Sequence, residues 1–128
     1  MNAHNAIIDA LIKSRAIIAL PENFTTGTYA RAKNGSATSV HSATATCFCL
    51  VGSVMRTTGY DHESINSTEF VLYNQTLYRL ERQLQATMAG QNRIAKQGIA
   101  EYSDTSHHSD VLSLLDNTIA SMKAGTLY

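Results

Sequence analysis

Apolar residues recur at helical spacing in three separate stretches of the chain. The first covers residues 3–20 and stops at Pro21, because a proline cannot follow residues held in the α region. The second runs over about 67–88 and the third over 107–124. The apolar positions are Ile7, Ile8, Leu11, Ile12, Ala16, Ile18 and Ala19, then Phe70, Tyr73, Leu77, Leu80, Leu84 and Met88, and finally Val111, Leu114, Leu115, Thr118, Ile119 and Met122. These stretches predict three amphipathic helices around one core.

Residues suited to helix caps frame these stretches. Ser67 or Thr68 precedes the second, the polar cluster 103–106 precedes the third, and Gly125 follows the third. One further helical turn is predicted at residues 99–102. Residues 91–98 fit either a helix or a turn.

The stretch after the first helix is polar and rich in turn residues, and it contains Asn34-Gly35. This pair favours a type I′ turn, since both central positions of that turn need a positive φ. We predict a two-stranded hairpin with strands at about 28–33 and 36–40. A hairpin of two strands is only marginally stable in water, so we expect it to pack against the helices. An ordered irregular loop is the alternative.

The most apolar segment in the middle of the chain, residues 44–55, holds both cysteines. We predict that it forms a central helix, capped by Ser42 and ending near Gly59. Cys49 then falls on the apolar face of this helix. Gly52 costs about 1 kcal/mol relative to Ala in a helix interior, and that cost makes sense if another backbone passes close to it.

These segments together predict a mainly α fold, with four or five helices around one core and a small β-hairpin near residues 28–40. The length of 128 residues suits a single domain spanning 1–128. Apolar residues make up 44% of the chain and charged residues 16%, which indicates a chain that folds.

Charge and hydropathy narrow the classes of partner. Ten Lys and Arg residues balance ten Asp and Glu residues, so there is no electrostatic reason to expect nucleic-acid binding. A net charge near zero also gives little protection against self-association, which is compatible with a homodimer. No apolar run approaches the ~20 residues that span a bilayer, and the first residues lack the features of a signal peptide. We therefore expect a cytoplasmic protein that binds neither nucleic acid nor membranes.

Short motifs follow one another in a characteristic order. They comprise Gly27, Ala30, Arg31 and Gly35, then Phe48, Cys49, Leu50 and Gly52, then Tyr102 and Asp104, and finally Val111, Leu112, Leu114, Leu115, Asp116 and Ile119. In this order they resemble an uncharacterised family of small bacterial and phage-encoded proteins, a domain of unknown function with motifs of the A-R-x-x-x-G, F-C-x-x-G-A and W-N-D types. The resemblance covers most of the chain outside residues 60–95. It implies a phage or bacterial source, and the host cytoplasm for a phage-encoded protein, but no activity.

The chain departs from the motifs of that family at several positions. Phe24 and Tyr102 stand where the family favours Trp, and Ser103 replaces Asn. Ala32 and Lys33 replace the Asp region after the arginine. If these positions form a working site in the family, that site is altered here.

Cys49 is the candidate nucleophile. A reactive thiolate needs a helix N-terminus, a cation or an imidazole nearby. In the predicted helix Cys49 lies about two turns from the N-terminus on the apolar face, which favours a buried structural thiol. The catalytic interpretation pairs Cys49 with His107 or His108, oriented by Asp104, as in acyl transfer by a Cys/His/Asp triad. Nothing in the spacing forces that geometry.

The other polar candidates favour binding or structure. Arg31 stands in or beside the hairpin with few other charges, and a salt bridge to Asp104 is favoured over an anionic ligand. Neighbouring residues on a helix diverge by about 100 degrees, so His107 and His108 cannot easily bind one ion. Two cysteines without a second pair of ligands do not make a zinc site. We predict neither a metal nor a cofactor.

Two functions remain open. The first is a small protein that binds a host or phage macromolecule, such as an inhibitor of a host defence or housekeeping protein. Its partner is then a protein, with Arg31, Asp104 and His107 as candidate binding residues. The alternative is a small cysteine-dependent hydrolase or transferase that uses Cys49 with His108 and Asp104. The lack of a convincing catalytic set favours the first, so enzymatic activity is left open as the less favoured function.

Overall fold

A computed structural model describes residues 2–61, 67–90 and 98–127 of the chain. Within these ranges the structure has five α-helices, a two-stranded antiparallel sheet and a 3₁₀ turn. They are α1 (Ala3–Ile17), the 3₁₀ turn Pro21–Asn23, β1 (Ala30–Ala32), β2 (Ala45–Phe48), α2 (Leu50–Thr58), α3 (Thr68–Gly90), α4 (Ile99–Thr105) and α5 (His108–Ala124). The predicted mainly α fold with a small hairpin is confirmed. The helix or turn predicted at residues 91–98 lies, apart from Gly98, outside the described residues.

The three helices with the clearest apolar periodicity form close to where they were predicted. α1 ends ahead of Pro21, and α3 is capped by Ser67, whose Oγ accepts a hydrogen bond from the N–H of Phe70 at 3.1 Å. Gly125 follows α5 with a φ of 72°, the left-handed conformation that favours glycine after a helix. Periodicity decides these elements because each helix has a broad apolar face to bury.

The short helix α2 lies at the centre of the packing. It contacts α1, α3 and α4, while α5 packs on α1 and α3. Of its nine residues only Arg56 and Thr57 are not buried. The largest fully buried side chains in the described chain include Ile7, Leu11, Ile18, Leu50, Leu80, Leu84, Leu115 and Met122. The buried helix α2 therefore lies at the centre of the packing.

Two buried threonine hydroxyl groups donate their hydrogen bonds within their own helices. The Thr76 hydroxyl donates to the carbonyl of Leu72 at 2.7 Å, and the Thr118 hydroxyl donates to the carbonyl of Leu114 at 2.7 Å. Such bonds remove the cost of burying a hydroxyl. These threonines can therefore pack in the core among apolar side chains.

The second strand of the hairpin differs from the prediction. β1 pairs with β2, with Ala30 opposite Phe48, whereas residues 36–40 contribute one bridge, between Arg31 and Ala37. Ala30 and Phe48 are both buried, so this register places apolar side chains of both strands on the core. The predicted pairing is formed in part, because the N–H of Ala32 donates to the carbonyl of Ser36 and that of Thr38 to the carbonyl of Ala30. Residues 36–40 are mostly exposed, so they have less apolar area to gain from pairing than β2.

The central helix begins at Leu50, so the predicted cap at Ser42 is wrong. The preceding residues extend as β2, where the β-branched Thr46 and the aromatic Phe48 fit a strand well. Cys49 is the N-cap instead, with φ −78° and ψ 174°, and its Sγ accepts a hydrogen bond from the N–H of Gly52 at 3.2 Å. The end of the helix is as predicted, because Gly59 follows it with a φ of 78°.

The predicted close approach of another backbone to Gly52 is confirmed. A Cβ added at Gly52 would overlap the carbonyl oxygen of Tyr29 and lie 2.8 Å from its carbonyl carbon. The same carbonyl oxygen accepts a hydrogen bond from the N–H of Cys49 at 3.2 Å. The segment before β1 therefore crosses the first turn of α2 with no room for a side chain.

We expect Gly52→Ala to lower the free energy of unfolding by about 1–3 kcal/mol. The overlap with a backbone carbonyl outweighs the gain of about 1 kcal/mol in helix propensity. Urea denaturation followed by circular dichroism measures the difference. Gly98→Ala is the matched control, because an added Cβ there meets no atom within 4 Å, and its cost stays below about 1 kcal/mol. Equal losses in the two variants would contradict the close approach.

Candidate functional site

A small cavity lies between the loop before β1, the start of α2 and one face of α4. We call it the Cys49 cavity, and its volume is about 350 Å³. Its lining residues are Gly27, Thr28, Tyr29, Cys49, Ala100 and Asp104. Ala100 and Asp104 are four residues apart, so they share one face of α4. The cavity brings together two of the residues that the sequence singled out, Cys49 and Asp104.

A larger cleft opens on the other side of α4, between α3 and α5. We call it the His107 cleft, and its volume is about 490 Å³. Its lining residues are Leu84, Thr87, Met88, Tyr102, Thr105, Ser106, His107, Asp110, Ser113, Leu114 and Asn117. Two of its residues, Tyr102 and Thr105, belong to α4 but to a different face from Ala100 and Asp104. The short helix α4 is therefore the wall between the two concave surfaces.

The thiol of Cys49 is held as a helix cap and is buried. Its side chain is 4% exposed, in agreement with the prediction of a buried thiol. Burial raises the pKa of Cys49, the N–H of Gly52 acts in the opposite direction, and the negative charge of Asp104 raises the pKa further. The first effect dominates because burial disfavours the thiolate. The group is therefore a neutral thiol at neutral pH.

Asp104 ties α4 to the loop before β1. Its Oδ1 accepts a hydrogen bond from the N–H of Gly27 at 3.1 Å. The adjacent Ser103 is fully buried, and its Oγ accepts a hydrogen bond from the N–H of Leu50 at 3.1 Å. Two successive residues of α4 thus fix the loop and the N-terminus of α2.

The cluster 103–106 does not cap α5 as predicted. Its first three residues form the end of α4, and the N-cap of α5 is His107, which makes no capping hydrogen bond through its side chain. The physical reason is that the buried N–H of Leu50 needs an acceptor, and Ser103 of α4 supplies it in a tertiary hydrogen bond. Capping residues satisfy orphan amides of any nearby helix, including one distant in sequence.

Arg31 organises the loop instead of pairing with a carboxylate. Its Nε donates to Oγ1 of Thr25 at 2.9 Å, Nη1 donates to the carbonyl of Gly35 at 3.0 Å, and Nη2 donates to the carbonyl of Thr26 at 3.2 Å. Among the described residues it forms no ion pair with Asp104, so the predicted salt bridge is wrong. The planar fork of donors fits these converging oxygens in a way that a lysine could not.

His108 is engaged away from the cavity. Its Nε2 lies 2.6 Å from the carbonyl oxygen of Ile18, and since a carbonyl only accepts, Nε2 carries the proton and donates it. The imidazole also packs against Phe24, with ring centroids 5.3 Å apart. The described contacts of Cys49 and of His108 do not join them, whereas His107 is exposed and lines the cleft. The structure thus divides the candidate catalytic residues among three places.

Tyr73 is an unusual titrating group close to the Cys49 cavity. Its ring stacks on Tyr60 with centroids 4.3 Å apart. Burial raises the pKa of Tyr73 to about 12, with smaller contributions from Tyr29, Tyr60 and Cys49 nearby. The sequence placed Tyr73 only on a helical stripe, since its proximity to these groups depends on the packing of α3 against α2.

Sequence reasoning missed several residues that build these surfaces. Ser103 and Gly27 hold the Cys49 cavity together, and Thr87, Ser113 and Asn117 line the His107 cleft. Gly27 was within reach, because it belongs to the same ordered motifs as the candidate Asp104. The cleft residues carry no such pattern, since isolated threonines, serines and asparagines on exposed helix faces are common.

Comparisons with known proteins give a family but no activity. The chain matches a family of unknown function (DUF6197) over residues 3–121 and belongs to it. Neither curated proteins nor solved structures gave a match. In the described part of the chain, no helix is long and apolar enough to cross a membrane, and no group of three or more residues could hold a metal ion.

We expect Cys49 to react with iodoacetamide much more slowly than Cys47 in the folded protein, because burial hinders access and disfavours its thiolate. Cys47 is only partly buried. Mass spectrometry over time, on the Cys47→Ala and Cys49→Ala variants, measures each thiol alone. In denaturant the two rates should converge. Similar rates for the two thiols in the folded protein would contradict the burial of Cys49.

We expect one tyrosine to ionise late, near pH 12, in an alkaline titration followed by absorbance at 295 nm. Tyr73→Phe should remove this step. Because the folded pKa of Tyr73 lies above the unfolded value, its stabilising contribution is complete below about pH 10 and is lost as the pH rises through about 12. A late step that persists in Tyr73→Phe would contradict the assignment.

Proposed function

We propose that this member of a family of unknown function acts by binding a segment of a protein partner in the His107 cleft. The observation that supports the proposal best is the cleft of about 490 Å³, which combines an apolar floor with a rim of hydrogen-bonding side chains.

The lining of the cleft suits a polypeptide chain. Leu84 and Leu114 are buried beneath the opening, and with Met88 they offer an apolar seat for one anchoring side chain. Around them lie side chains that can donate or accept hydrogen bonds, namely Thr87, Thr105, Ser106, His107, Asp110, Ser113 and Asn117. Clefts of this kind place a few polar groups around an apolar seat, and the polar groups fix the orientation of the ligand. A peptide presents both an apolar side chain and backbone amides.

The charge of the cleft fits this class of ligand better than a nucleic acid. Among the described residues that line it, Asp110 is the one acidic side chain, and none is a lysine or arginine. Binding of nucleic acid relies on cationic side chains against phosphates. A partner peptide with a hydrogen-bond donor opposite Asp110 can pair with this carboxylate and needs no strongly charged surface.

The alternative, a hydrolase or transferase that uses Cys49, has less support. The Sγ atom accepts the N–H of Gly52, the thiol is buried, and its pKa is raised. The proton on Nε2 of His108 is donated to Ile18. A nucleophilic cysteine needs a base within hydrogen-bond reach, and Asp104 at the cavity raises the pKa of the thiol.

The resemblance to phage and bacterial proteins gives the proposal its finer form. A phage-encoded protein of this type would act in the host cytoplasm, and its partner would be a host defence or housekeeping protein that it inhibits. A second copy of the chain is the competing occupant of the cleft, because the net charge near zero does not oppose self-association.

Site-specific photo-crosslinking tests the proposal. A photoreactive amino acid at Ser113, on the exposed rim of the cleft, should give a discrete crosslinked protein in the cell that produces the chain. The same residue at Ala120, exposed on α5 but outside the cleft, should not. Mass spectrometry of the product distinguishes a foreign protein from a second copy. No product at Ser113, equal products at both positions, or a second copy alone would overturn the proposal.

We expect His107→Ala and Asn117→Ala to lower the yield of that crosslink several-fold without changing the free energy of unfolding. Both side chains line the cleft, so their loss removes contacts with the partner. His4→Ala is the matched control, since His4 is exposed on α1 and does not line the cleft. An equal loss in the control would attribute the effect to something other than the cleft.

A further inference from the structure

We infer that the Cys49 cavity binds a cationic nitrogen group, an alkylammonium or a guanidinium, through the carboxylate of Asp104. The cavity lies on the opposite side of α4 from the His107 cleft, so this inference does not depend on the function proposed for the cleft.

The N-terminus of α2 faces the cavity but has few donors left for an anion. The N–H of Leu50 donates to Ser103, that of Gly52 to the thiol of Cys49, and that of Ser53 to the carbonyl of Cys49. Anion sites at helix ends depend on free N–H groups. The chain itself has used these groups, so the helix end does not select an anion.

Among the described residues that line the cavity, Asp104 carries the one charged side chain. Its Oδ1 accepts the N–H of Gly27, while Oδ2 accepts no hydrogen bond from any residue that the structure describes. Arg31 forms no ion pair with this carboxylate among the described residues. Arg31 approaches Gly27, with Nη2 3.7 Å from the place of an added Cβ, but its donors go to Thr25, Thr26 and Gly35. Asp104 is exposed, so Oδ2 is open to solvent and can accept from the N–H donors of a cationic ligand in place of water.

The rest of the described lining is uncharged and, apart from Tyr29, small. Cys49 is a neutral thiol, and Ala100, Gly27 and Thr28 leave space beside the carboxylate. A volume of about 350 Å³ lies at the lower end of the range for ligand sites, about 300–1,000 Å³. It suits a cationic head with a short alkyl chain. Such a group belongs either to a free amine or to a lysine or arginine side chain of a protein.

The amide of Gly27 is a direct reporter of this site, because it donates to the carboxylate. Titration of ¹⁵N-labelled protein with n-butylammonium or methylguanidinium should shift the Gly27 resonance in a saturable way. The neutral n-butanol should not. Nα-acetyl-lysine methylamide represents a lysine side chain of a protein, and its affinity is compared with that of the free amine n-butylammonium. Its Nε-acetylated form, which has lost the charge, is the control for the lysine compound. Added NaCl should weaken the binding, since the contact is ionic and partly exposed.

Asp104→Asn is the decisive variant, because its amide oxygen can still accept the N–H of Gly27 while the charge is lost. We expect the affinity to fall by about tenfold or more, with the fold retained. Glu101→Gln, exposed on α4 but outside the lining of both concave surfaces, should bind as the native protein does. The inference is overturned if Gly27 shows no saturable shift with any of the cations, or if Asp104→Asn or the neutral probe gives the same shift.

Discussion

The passage of the Tyr29 carbonyl across the first turn of α2 is the constraint on which the other arrangements depend. This carbonyl accepts the N–H of Cys49 and lies against Gly52, where a methyl group would not fit. One backbone carbonyl therefore sets how closely the loop approaches α2, binds the N-cap residue of α2, and requires a glycine at position 52. Because α2 is almost wholly buried, its position in turn sets where α1, α3 and α4 pack.

The same crossing explains why a cysteine stands at position 49. The N-cap of α2 must satisfy a first-turn amide, as Ser, Thr, Asp or Asn usually do. It also lies in the core at 4% exposure, where a strong hydrogen-bonding group that is only partly satisfied costs free energy. A thiol accepts weakly and otherwise behaves as a small hydrophobe. Cys49 meets both demands, so its position at a helix N-terminus has a structural cause without any catalytic one.

The sequence predicted those features that depend on local pattern and missed those that depend on distant partners. The long apolar stripes of α1, α3 and α5 can be buried on one face only if these segments are helical, so the three helices were predictable. Residues 45–48 are a short run that suits either a helix or a strand. They form a strand because they pair with β1, which is distant in sequence. Gly52 indicated that a backbone passes nearby, but nothing local identifies Tyr29 as the group that passes.

The candidate site shows the same division. Asp104 and Cys49 were chosen for their chemistry, and they do share a cavity. The partner of Arg31 was chosen by charge, and that choice failed because three oxygens of its own loop match the guanidinium fork at 2.9–3.2 Å. Local carbonyls cost little chain entropy to reach, whereas a carboxylate some 70 residues away must be brought there by the fold. Sequence reasoning that ranks partners by charge alone will repeat this error at other arginines in loops.

The helix α4 has too few residues to be stable alone, since isolated helices shorter than about 12 residues are marginal in water. Its seven residues are held by tertiary contacts, among them the acceptance of the Leu50 amide by Ser103 and of the Gly27 amide by Asp104. Both contacts lead back to the loop and the helix start that Tyr29 joins. Since α4 is the wall between the Cys49 cavity and the His107 cleft, the shapes of both concave surfaces depend on that one junction. Substitutions there can therefore impair binding at either surface without touching a ligand, and loss of binding assigns a residue to a site only when the residue lines that site and the fold is intact.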